Sequence, residues 1–114
     1  MKQMMLRELQ VRDEKDGNDS RGLWLRLADN GDLAIEGQDL GPSVAEFWGG
    51  SEYEWAISIK AADVPAYVRS LGGTPGDDVV ELVRASFERS PGCVGAEFLN
   101  ENGIPNEFWS RVGD

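Results

Sequence analysis

The sequence predicts an α+β domain: an N-terminal antiparallel β-meander of about four strands, followed by two to three helices packed on one face. Three observations carry this. Apolar residues recur with period two as far as Lys60. Beyond Lys60 the spacing changes to that of an amphipathic helix. Turn formers (Gly, Asn, Asp, Pro) punctuate both halves at short intervals. A chain of 114 residues suits a single domain, 1–114, around one core.

The first strand runs over Glu8 to Asp13, where Leu9 and Val11 alternate with Glu8, Gln10 and Arg12. The polar run from Asp13 to Ser20 reads as an exposed, mobile hairpin loop. Leu23, Leu25 and Leu27 alternate with Trp24 and Arg26 in a second strand, which ends at the hairpin signal Asp29-Asn30-Gly31-Asp32. A third strand turns Leu33 and Ile35 inward and is broken by Gly41-Pro42-Ser43. Val44 to Trp48 makes about one helical turn before Gly49-Gly50. The clearest strand follows, with Tyr53, Trp55, Ile57 and Ile59 alternating with Glu54, Ala56, Ser58 and Lys60.

Asp63 and Pro65 open the first full helix, with Val64, Tyr67, Val68 and Leu71 on one face and Gly72-Gly73 as its stop. Asp77 and Asp78 sit at the positive end of a second helix, whose stripe is Val79, Leu82, Val83 and Phe87. A third, shorter helix spans Ala96 to Asn102, with Gly103 as its C-terminal cap. The tail from Ile104 to Val112 is too apolar to hang free, so Phe108, Trp109 and Val112 are expected to dock on the core or add an edge strand.

Charge and composition narrow the chemistry. The 21 acidic and 11 basic residues leave a net charge of -10, which repels phosphate backbones and anionic membranes and attracts basic partners. Histidine is absent, which removes the commonest general base and the commonest metal ligand. The lone Cys93 permits no intrachain disulfide and no zinc cluster, and reads as a buried small apolar residue. With no signal-peptide pattern between Met1 and Arg12, a cytoplasmic location is expected. No catalytic, cofactor-binding or metal-binding residue is assigned. The oxygen-rich stretches Asp13 to Asp19 and Asp29 to Asp32 lack the spacing of a calcium loop, and Gly72 to Asp78 lacks the Lys-Ser/Thr pair of a phosphate loop.

The acidic residues are unevenly spread. Between Arg26 and Lys60 there is no basic residue, while Asp29, Asp32, Glu36, Asp39, Glu46, Glu52 and Glu54 lie in that gap. The pleat that turns Leu33 and Ile35 inward turns Asp32 and Glu36 outward, and on the following strand it exposes Glu52 and Glu54. If these strands pair, like charges are neighbours at a cost in stability. Such a face serves either solubility or recognition of a basic partner. The candidate partner-binding set is therefore Asp32, Glu36, Asp39, Glu52 and Glu54, with Trp24 and Trp48 as aromatic anchors. Arg111, close to so many carboxylates in composition, is available for an ion pair that pins the tail.

Ile35 to Gly41 (IEGQDLG), Ser51 to Trp55 (SEYEW), Asp63-Val64-Pro65 and the ending Asn102 to Asp114 (NGIPNEFWSRVGD) together resemble a group of small acidic bacterial proteins. That resemblance implies no activity and no site residues. In general type, the composition is similar to immunity proteins and other small inhibitors that block a basic nuclease or toxin with carboxylates. The leading expectation is thus a protein-binding inhibitor, not an enzyme, with neither nucleic acid nor membrane as its direct partner, present as a monomer or homodimer. A structural or self-associating domain is the first alternative and a carboxylate-dependent enzyme the second.

Overall fold

The computed structural model describes residues 5–113, apart from the side chains of Met5, Leu6 and Trp48, so the expected anchor Trp48 falls outside what is described. Five strands, β1 (Met5–Asp16), β2 (Asp19–Ala28), β3 (Leu33–Leu40), β4 (Glu52–Ile59) and β5 (Glu107–Gly113), form one antiparallel sheet in the order β1-β2-β3-β4-β5. A short helix, α1 (Pro42–Trp48), lies in the β3–β4 connection. Between β4 and β5 come α2 (Val64–Ser70), α3 (Val79–Arg89) and α4 (Ala96–Glu101), with 3₁₀ turns at Ala61–Asp63 and Pro91–Val94. This is the expected α+β arrangement, with the tail as an edge strand and not as a plug in the core.

The first hairpin differs from its sequence reading. Instead of a mobile loop over residues 13–20, β1 and β2 stay paired out to Asp16 and Asp19, and only Gly17 and Asn18 make the turn. A two-stranded arm that projects into water needs no apolar side chains, so an all-polar stretch can continue the ladder. Gly17 has φ +62, the left-handed value such a tight turn demands. The second hairpin is as expected: the Ala28 N–H donates to the Asp32 carbonyl at 2.9 Å, and Gly31 sits at φ +93.

Period two sets the faces of the sheet. Leu23, Leu25, Leu33, Ile35, Ile57 and Ile59 point to one side and are almost wholly buried, against Tyr67, Val68, Val79, Val80, Val83, Cys93, Val94, Leu99 and Ile104 of the helical layer. Leu9 and Val11 add partly buried cover from β1. Gly37 is the one core-facing gap in β3, and the Trp55 ring from β4 fills it; a methyl there would collide with the indole. Cys93 is 2% exposed, and burial pushes its thiol above the ordinary range, as expected of an inert core residue.

Some helix ends follow local chemistry and others do not. Asp78 caps α3 by accepting from the backbone N–H groups of Val80 and Glu81. Gly103, at φ +69, ends α4 and lets the Ile104 N–H reach the Leu99 carbonyl at 2.9 Å. Asp63 does not cap α2: its backbone is already helical and its side chain makes no capping bond, because the preceding 3₁₀ turn leads straight into the helix. Arg7 joins β1 to α3 through Asp78 and, at 3.1 Å, Glu81, while Arg12 stacks over Phe87 at 4.8 Å.

Candidate binding face

The opposite side of the sheet has no helix of the core layer upon it, and its side chains lie in rows set by strand register. One row runs Gln10, Trp24, Glu36, Ala56, Trp109, from β1 to β5. The next runs Glu8, Arg26, Ala34, Ser58, Glu107. Its middle residues are small and those on either side are long, so the face is hollow there. A cleft of about 630 Å³ opens over Ala34 and Ser58, with Arg26 and Glu107 on its flanks and Ala28, Asp32, Lys60, Asp63, Pro105 and Asn106 at its end. In the first row Trp24 and Trp109 stand three strand spacings apart, about 14 Å. Trp24 is half-buried, its ring lying over Gly22, whereas Trp109 is 52% exposed.

Strands β3 and β4 do pair, and they bring Glu36, Glu52 and Glu54 onto this one face. Each carboxylate has an arginine beside it. Arg26 Nε lies 2.8 Å from Glu36 Oε2, and the same guanidinium reaches Glu8 at 3.6 Å. Arg111 on β5 lies 3.6 Å from Glu52 and 3.3 Å from Glu54, so it does pin the last strand to β4. Gln38 bridges the same two glutamates at 3.5 Å each. The two carboxyls interact directly: Glu52 is held above the usual carboxylate range, first by its hydrogen bond to Glu54 and then by desolvation and the neighbouring charge. Glu54, which receives that hydrogen bond, is held below it, with Arg111 contributing in the same direction. The face is thus anionic but internally braced, not a bare patch of carboxylates.

Two expected members of the set are elsewhere. Asp32 is in the β2–β3 turn, where Oδ1 accepts the Ala61 N–H at 2.8 Å and Oδ2 accepts from the Asn30 side chain at 3.2 Å. It builds the end of the cleft and does not stand in the strand row, because the turn claims its side chain. Asp39 shares the parity of Leu33, Ile35 and Gly37, so it belongs to the other side of β3 from Glu36. There it lines a smaller hollow with Arg21, Ser43 and Phe47 beside α1. Simple parity counting from Glu36 places Asp39 correctly.

The sequence reading missed the cleft and underrated Arg26 and Trp109. The small residues Ala34, Ala56 and Ser58 were visible at outward positions, but their meaning depends on register between strands. Among the described residues no cluster of metal-ligating side chains occurs, and no helix is long and apolar enough to cross a membrane. No family model, no curated protein and no solved structure matches this chain.

Proposed function

We propose that this chain is a cytoplasmic protein-binding domain of the inhibitor or immunity type, which takes a basic segment of its partner on the uncovered face of the sheet. The single observation that carries the reading is the hollow in that face. An open cleft floored by Ala34 and Ser58 adjoins the row that holds Trp24 and Trp109, and the face as a whole carries the carboxylates of Glu8, Glu36, Glu52, Glu54 and Glu107 against Arg26, Arg111 and, at the end of the cleft, Lys60. Aromatic rings give area at low entropic cost, and a surplus of negative charge selects lysine- or arginine-rich chains. The ion pairs work against the reading, because Arg26 and Arg111 already sit beside Glu36, Glu52 and Glu54; a basic partner must compete with them, and only the surplus of carboxylates favours it. The same charge disfavours nucleic acid as a direct ligand.

The test uses isotope-labelled protein and an array of lysine- and arginine-rich peptides. Binding should shift the indole signals of Trp24 and Trp109 and the amides of Glu36 and Glu54, and leave α3 and α4 unmoved. For any peptide so identified, the triple variant Glu36→Gln, Glu52→Gln, Glu54→Gln should slow association by roughly ten-fold at low salt, with a smaller effect at physiological salt. An association rate indifferent to salt, or shifts confined to the helical layer, would sink the proposal.

A further inference from the structure

The two edges of the sheet are built differently. Strand β1 is guarded: its register slips twice, between Met5 and Arg7 and between Gln10 and Arg12, and it carries Arg7, Glu8, Arg12, Asp13, Glu14, Lys15 and Asp16. Bulges and charges of this kind are what keep an edge from pairing with another chain. Strand β5 has less of both, with no bulge and charges only at Glu107 and Arg111. Its ladder to β4 is regular over Glu107 to Gly113, it contains no proline or lysine, and it exposes Phe108 (53%), Trp109 (52%) and Val112 (42%).

We infer that β5 is the seam of a homodimer, in which two copies pair edge to edge and antiparallel to give a continuous ten-stranded sheet. A second copy is indicated by the self-complementarity of the strand. Two identical edges that pair antiparallel are related by a two-fold axis perpendicular to the sheet, so each residue meets one on the same face. With the axis at Ser110, all seven residues of β5 find a partner: Phe108 faces Val112 of the other copy, Trp109 faces Arg111, Glu107 faces Gly113, and Ser110 faces itself. The apolar pair lies on the side that bears the helices, and the aromatic-guanidinium pair lies on the open face. Moving the axis one residue toward Gly113 sets Arg111 against Arg111, and moving it the other way leaves Pro105 and Asn106 opposite strand residues. One glutamate and one arginine make β5 neutral in itself, so the charge of -10 is not concentrated at the join.

The axis makes a sharp test. Residues directly opposite in an antiparallel pair have Cα atoms about 4.5 to 5.5 Å apart, within reach of a disulfide. In Ser110→Cys, oxidised glutathione should therefore link two copies through residue 110, while Ser90→Cys, on the helical side, should stay unlinked. By sedimentation velocity the unmodified chain should show a mass that climbs toward twice the monomer with concentration. Val112→Lys, which puts a charge opposite Phe108, should remain monomeric with an unchanged circular dichroism spectrum. Raising salt should tighten this association between two anions, the reverse of its effect on a basic partner. A monomer at every concentration, a dimer that survives Val112→Lys, or no link through Ser110→Cys would each overturn the inference.

Discussion

The hydroxyl of Tyr67 is deep in the helical layer and donates to the Cys93 carbonyl at 2.8 Å, tying α2 to the 3₁₀ turn ahead of α4. Burial raises the phenol far above its ordinary range, so it serves as a neutral donor. Tyr67→Phe keeps the ring and its edge-on contact with Phe98 but leaves that carbonyl without its donor. It should cost about 1–2 kcal/mol, read from the midpoint of urea denaturation. At this scale the sequence is legible for apolar residues and poor for polar ones. Tyr67 was placed on the buried stripe by spacing alone, but its partner 26 residues on depends on how two helices meet. Asp32, Glu36 and Asp39 make the same point: pleat parity says which side a residue faces, and only the turn and the neighbouring strands say what it touches.

Among the elements, α1 and α3 show how the helices are held by carboxylates of different origin. Helix α1 has Gly41 at its N-cap and no local side-chain cap; Asp19, from the start of β2, accepts the Ser43 N–H at 3.0 Å and the Ser43 hydroxyl at 2.6 Å instead. The bonds from the Ser43 hydroxyl and then from its N–H hold the Asp19 carboxyl below the ordinary range. For Asp78, desolvation pushes upward, but the hydrogen bond from Arg7 and the capped N–H groups of α3 together outweigh it, and the net direction is down. A carboxyl depressed in the folded state lends stability above its unfolded pKa and loses it as pH falls through its folded pKa. Stability should therefore decline on the acid side, below the ordinary carboxylate range, and the decline should be shallower in the double variant Asp19→Asn, Asp78→Asn, as measured by thermal melts across a pH series. At neutral pH, Asp78→Ala alone should cost about 1 kcal/mol. The capping of α3 was readable from Asp77-Asp78 before an apolar stripe, whereas the capping of α1 was not, because its donor and acceptor are 24 residues apart.

For the whole molecule, charge sets the balance. All the ion pairs described join side chains that keep a quarter or more of their surface in water, so each adds little. The self-repulsion of ten net negative charges is spread over the whole chain and is the larger effect. Added sodium chloride should therefore raise the melting temperature by roughly a few degrees up to physiological strength, because it screens repulsion more than it weakens pairs. A fall in Tm over that range would mean that the bridges about Arg26 and Arg111 matter more than their exposure implies. The fold class, the face of each strand and the helix order were legible here, because hydrophobic period is a local property. The tail as an edge strand and Arg111 as its pin were legible as candidates. The cleft and the exact pairing of Glu36 with Arg26 and of Glu52 and Glu54 with Arg111 were not, since each arises from register among strands that the chain visits at different times.

Strand β5 has one further implication. The first four strands follow one another with only two tight turns and the α1 connection between them, but β5 reaches β4 only after the entire segment of α2, α3 and α4 intervenes. During synthesis β4 is consequently an open edge, with Glu52 and Glu54 still awaiting Arg111, until the helices have been made and have settled on the sheet. The side chains of β5 are themselves largely in water, so amide exchange should begin in that strand while Leu25 and Ile35 remain protected.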